Sequence, residues 1–145
     1  MTEYSHPTIL IALQYGSTAV VDELRRHDLT VLVASNGIEV VSHLFPRGDA
    51  YALRPSLLVL SATLPGYNGL SVLAGVRSMG WNTPVVMTWP SSEPWIADEA
   101  IRLGCSGLIE EPADPSEIVT KARQLTLTAA PLHKVVAGPT RETAA

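Results

Sequence analysis

The chain has 145 residues, enough for one domain with a core of its own, and its 46% apolar and 17% charged residues fit a folded globular protein. A formal net charge of -4 and scattered basic residues, with only Arg25 and Arg26 adjacent, leave no electrostatic footprint for nucleic acid or anionic lipid. No apolar run approaches the roughly 20 residues that span a bilayer, and the opening MTEYSHP lacks the basic start of an export signal. The single cysteine, Cys105, rules out an internal disulfide or a cysteine-rich zinc site; it reads as a small buried side chain, and the expected compartment is a reducing cytoplasm.

In chain order, five short apolar runs read as strands: TILIAL (8–13), TVLVA (30–34), SLLVL (56–60), PVVMT (84–88) and GLI (107–109). Their continuous rather than alternating character predicts strands buried on both faces of a parallel sheet. Helical patterns lie between them. The first begins near Ser17 or Thr18, spaces Val20, Val21 and Leu24 along one face, and runs from Asp22 and Glu23 to Arg25-Arg26-His27, in accord with the helix dipole. The second follows Asn36-Gly37 and is expected to turn Ile38, Val41, Leu44 and Phe45 inward. Asn68 caps the third, whose inner stripe is Leu70, Leu73 and Val76 and whose terminator is Gly80. Ser92 is the expected cap of the fourth, which carries Ile96, Ala100 and Leu103 inward. The fifth opens on Asp114-Pro115-Ser116-Glu117, a capping box with proline at the first helical position, followed by Ile118, Ala122 and Leu125.

Strict alternation of five strands and five helices predicts a doubly wound α/β domain, a five-stranded parallel sheet with helices on both faces, over residues 1–127. FPRGDAYALRP (45–55) is too long for an ordinary connection and reads as a surface excursion. Residues 128–145 lack a sustained period and are expected to form a flexible tail or an interaction arm.

In such a sheet functional groups gather where the strands end. The motifs around those ends, SNGIE opening the second helix, LPGYNGL after the third strand, TPVVM as the fourth, GCSGL leading into the fifth and Glu111-Pro112 leaving it, resemble the receiver domains of two-component response regulators over roughly residues 8–127. The resemblance implies the flavodoxin-like (βα)5 receiver fold. It also places Ser61 where that family carries its phosphorylated aspartate, Leu13-Gln14 where it carries the acidic metal-binding pair, Trp89 at its threonine or serine, Glu111 at its lysine and Leu108 at its aromatic switch. All five chemical positions therefore depart from the family pattern.

Phosphoryl transfer to a carboxylate needs an ionised nucleophile, a Mg²⁺ and positive charge or hydroxyl donors around the transferred group. Leu13, Gln14 and Ser61 bring no negative charge to hold Mg²⁺, so no cofactor is expected. A serine hydroxyl without an adjacent base is a poor nucleophile, and Glu111 would repel a phosphoryl group. Both signs of charge are lost together, which avoids stranding a lone cation in the cleft. Trp89 is expected either to fill the vacated volume, its indole N–H free to bond Gln14, Ser61 or Glu111, or to stand exposed as a partner-binding aromatic. Ser61 reads as a hydrogen-bonded strand-end residue; Glu111 reads equally as a rim residue or a pocket residue. The four histidines are dispersed and form no metal-ligand pair.

The expectation is thus a degenerate receiver, a pseudo-receiver and not an enzyme, that binds a protein partner independently of phosphorylation in bacterial signal transduction. With no output domain appended, its output would pass through a kinase, an effector or a second copy. The family's customary face of fourth helix, fifth strand and fifth helix implies a surface with Trp95, Asp98, Glu99 and Arg102, together with Lys121 and Gln124. Neither nucleic acid nor membrane is an expected partner. The alternative is a small-molecule site in the remodelled pocket.

Overall fold

A computed structural model describes residues 8–47 and 53–135. The elements alternate as β1 (Thr8–Ala12), α1 (Ser17–Arg26), β2 (Thr30–Val33), α2 (Gly37–Leu44), β3 (Leu57–Ser61), α3 (Gly69–Ser78), β4 (Val85–Pro90), α4 (Pro94–Arg102), β5 (Gly107–Glu111) and α5 (Pro115–Val135). The strands form one sheet in the order β2-β1-β3-β4-β5, and each neighbouring pair is parallel. This is the doubly wound α/β architecture that the alternation of apolar runs predicted, with the five parallel strands of the receiver fold that the resemblance implied.

The pleat divides the core in two. Leu10, Leu58, Leu60 and Met87 face α2, α3 and α4 with Val40, Leu73 and Ala100. Ile9, Ile11, Leu57, Val59, Val86 and Ile109 face the other way, toward Val20 and Leu24 of α1 and Ile118 and Ala122 of α5. β3 is buried at all five positions because it lies in the middle of the sheet. β2 departs from the expectation of burial on both faces: it is an edge strand, and Leu32 and Val33 are exposed. Arg25 donates from Nη2 to the Val31 carbonyl at 3.1 Å, which occupies part of the open edge.

Three of the helix starts follow the capping chemistry of the sequence. Asn36 accepts from the Glu39 amide, Asn68 from the Ser71 amide, and Asp114 from the Ser116 amide ahead of Pro115. The fourth does not: α4 begins at Pro94 after Glu93, with no side-chain cap, rather than at Ser92. Within α2 the buried residues are Gly37, Val40 and Leu44, with Val41 and Phe45 packed at the core margin. Ile38 is instead 56% exposed, because the cap at Asn36 sets it against Gly66 of the loop that follows β3. α5 also runs further than the sequence pattern suggested. Residues 128–135 of the expected tail are helical. Residues 136–145 of that tail, and 48–52 of the expected excursion, lie outside the described residues.

Cys105 follows α4, and burial is the main influence raising its thiol pKa, with Arg77 acting weakly in the opposite sense. A raised acid pKa means less thiolate in the folded state, so this group favours folding below the ordinary thiol range and ceases to do so as pH rises through it. Alkylation by iodoacetamide near pH 8 is expected to run about tenfold or more slower in the native protein than in denaturant. Equal rates would show that the thiol is open to reagent.

Candidate functional site

The strand tips converge through parallel register and side-chain alternation. Ser61 at the end of β3 pairs with Thr88 of β4, and Thr88 pairs with Ile109 of β5. Side chains alternate across a strand, so Ser61 and Thr88 point to one face, and Glu111, two residues beyond Ile109, points there too. The result is a compact polar group at the top of the α1/α5 layer. Thr88 Oγ1 donates to Glu111 Oε2 at 2.8 Å, Ser61 Oγ donates to the same oxygen at 3.1 Å, and the two hydroxyl oxygens lie 3.3 Å apart. Ser61 is 0% and Thr88 3% exposed, whereas Glu111 is half-buried. Glu111 thus turns one carboxylate oxygen toward both hydroxyls while its residue remains partly exposed. The Glu111–Pro112 peptide is cis.

Trp89 is not part of this group. Pro84 plus five residues leads to it in the sequence, but the pleat puts it on the opposite face from Ser61, packed at the margin of the α2/α3/α4 core along with Leu108. Among the described residues its indole has no hydrogen bond to Gln14, Ser61 or Glu111. The hydroxyl that the resemblance assigned to position 89 is supplied one residue earlier, by Thr88. The TPVVMTW string contained that threonine, but indexing from the proline passed over it.

The β1 end separates its two residues. The strand stops at Ala12, Leu13 joins the buried core beside α1, and Gln14 is exposed on the loop. Gln14 Oε1 accepts from Thr63 Oγ1 at 2.8 Å, a bond that links the loops following β1 and β3. The donor set does not suit Mg²⁺, which needs carboxylate oxygens. Leu13 has none, Gln14 and Ser61 are neutral, and the one carboxylate present already accepts two hydroxyls. Among the described residues no group of three or more His, Cys, Asp or Glu side chains could hold a metal ion.

Glu111, rather than Trp89, meets the Ser61 hydroxyl, and Ser61 is fully buried. A groove of about 630 Å³ does exist, but it runs between α1 and α5, past Asp22, Arg26, Val119 and Arg123, and none of the strand-tip residues lines it.

On the α4, β5 and α5 side, Trp95 is 57% exposed and Asp98, Arg102 and Gln124 are exposed as well. Glu99 and Arg102 form an ion pair one turn apart. The hydrogen bond between them holds the Glu99 carboxyl below the usual carboxylate range and raises Arg102. Both are solvated, so the pair fixes side-chain geometry more than it stabilises the fold. Lys121 lies with its methylene stem against Gly107 at the start of β5. No described helix is long and apolar enough to cross a membrane.

Comparison with known proteins agrees with this fold. No family model matches the chain. The transcriptional regulatory protein FixJ of Azorhizobium caulinodans is 27% identical over 105 residues, a stretch covering 70% of this chain and 50% of FixJ. The chain therefore spans about half the length of that curated relative. Among solved structures, the phosphorylated cyanobacterial phytochrome response regulator RcpA superposes with a TM-score of 0.73 at 24% identity, covering 86% of this chain and 96% of RcpA. The Francisella response regulator 1452 receiver domain superposes with a TM-score of 0.72 at 18% identity, covering 86% of this chain and 99% of that one. The chain has the fold of a response-regulator receiver domain and is homologous to FixJ.

Proposed function

We propose that this domain is a pseudo-receiver: a two-component signalling module that has given up phosphorylation, performs no catalysis and conveys its signal by binding another protein. The observation that carries this reading is the state of residue 61. Its side chain is a hydroxyl, 0% exposed and hydrogen-bonded to the Glu111 carboxylate. A phosphodonor cannot reach it, and an arriving phosphoryl group would meet a like charge in place of a cation. The donor set beside it lacks the carboxylates that Mg²⁺ requires.

Binding then falls to a surface. On the α4, β5 and α5 side, Trp95, an exposed aromatic of the kind enriched at interface hot spots, shares α4 with Asp98 and the Glu99–Arg102 pair, and α5 contributes Lys121 and Gln124. A kinase, an effector or a second copy of the chain are the candidate occupants, in the cytoplasm. FixJ is a transcriptional regulator by name, but the net charge of -4 argues against DNA as a partner of this chain, so the reading stops at protein binding.

Incubation with Mg²⁺ and acetyl phosphate tests the proposal. Intact mass is expected to show no added phosphate, and tryptophan fluorescence no change. A stable phosphate on Ser61 overturns the reading.

A further inference from the structure

We infer that the strand-tip pocket is self-liganded: the Glu111 carboxylate acts as a built-in anionic ligand of the Ser61 and Thr88 hydroxyls and shuts the pocket against any external anion. The inference deepens the reading of this site as silent to phosphorylation, and rests on it.

Hydrogen-bond accounting supports it. Each hydroxyl has one proton to donate. Thr88 spends its proton on Glu111 Oε2 at 2.8 Å rather than on the more distant Ser61 oxygen, and Ser61 spends its own on the same Oε2 at 3.1 Å. Both donors are buried, so neither has bulk water as an alternative acceptor. The acceptor comes from β5, 50 residues from Ser61 and 23 from Thr88, so a single oxygen ties together the ends of β3, β4 and β5. Take that oxygen away, and two convergent hydroxyl donors face a gap the size of a carboxylate. A pair of inward donors of this kind is an anion site in every respect but occupancy, and in the native chain Glu111 occupies it.

The substitution Glu111→Ala turns the internal ligand into an external one. The variant is expected to melt roughly 5–10 °C below the parent, because two buried donors lose their acceptor. Sodium formate, the smallest carboxylate, is expected to restore several degrees over sodium chloride of equal ionic strength, since a ligand that binds only the folded state raises its stability. The parent and the triple variant Glu111→Ala, Ser61→Ala, Thr88→Val are expected to melt alike in the two salts. If formate gives Glu111→Ala no advantage over chloride, or benefits the triple variant equally, the inference is overturned. Glu111→Gln fills the same volume with a weaker acceptor and provides a check should the alanine variant fail to fold. It is expected to lose about half as much and to be indifferent to formate; a glutamine variant as stable as the parent refutes the tie. Phosphate incorporation at Ser61 from acetyl phosphate would undo the functional reading separately, leaving the formate comparison to judge the ligand role of Glu111.

Discussion

Replacing Gly37 with alanine is expected to be the most damaging small substitution in the chain, lowering stability by about 3 kcal/mol or more and the melting temperature by roughly 10 °C or more. A Cβ at this position would lie 1.6 Å from the Tyr67 carbonyl oxygen and 2.5 Å from its carbon. The obstacle is backbone, so no rotamer change relieves it. The approach is close because the Gly37 amide donates to the Pro65 carbonyl at 2.9 Å, seating the start of α2 on the loop that follows β3. Either that loop moves, disturbing the turn below Ser61, or α2 lifts off and exposes Val40 and Leu44. Thermal melts and urea titrations of Gly37→Ala measure the effect, and a variant melting within about 2 °C of the parent would contradict the contact. Gly75 provides the control: nothing lies within 4 Å of the Cβ it would gain, and Gly75→Ala in the middle of α3 is expected to be neutral or mildly stabilising.

Loss of Arg77 is expected to cost about 2–4 kcal/mol. This one guanidinium serves three carbonyls. Nε and Nη2 donate to Gly104 at 3.1 and 2.8 Å, and Nη1 donates to Trp81 at 2.9 Å and to Thr83 at 2.8 Å. It therefore joins the end of α3 to the segment leading into β4 and to the turn after α4. Burial lowers its pKa from the ordinary guanidinium value, but arginine stays charged across the working range. Arg77→Lys is informative because lysine keeps the charge yet loses the planar fork. If the geometry matters as argued, lysine recovers less than half of the alanine loss. Denaturant midpoints for the two variants decide it, and full rescue by lysine would show that charge rather than geometry is what counts.

Much of the fold was legible in the sequence because its signals are local. Asn68 could be read as a cap since it bonds an amide three residues ahead, as Asn36 also does, and Asp114-Pro115 marked the start of α5 for the same kind of reason. Apolar runs of three to six residues separated by helical patterns imply a parallel α/β sheet, since buried parallel strands need helical crossovers. Local signals misled where the neighbour was distant. Ile38 fits a helical apolar stripe as well as Val40 does, and only the seating of α2 against Gly66 turns it outward. Ser92 is a good cap by type, but α4 starts after it at Pro94.

The candidate site divides in the same manner. That the strand tips carry Leu13, Gln14, Ser61 and Glu111 was written in the residues themselves, because chemical identity needs no fold; that an ionised cluster would be expected there is what the resemblance implied. Which of them meet was decided by the sheet. Parity along β4 selects Thr88 over Trp89, and register across β4 and β5 brings Glu111, not Glu110, onto the Ser61 face. A shift of one residue exchanges the two faces of a strand, and nothing local to MTW or IEE records which residue points where. The resemblance thus named which residues to examine at the strand tips, while long-range pairing determined what meets there: one carboxylate oxygen shared by two buried hydroxyls.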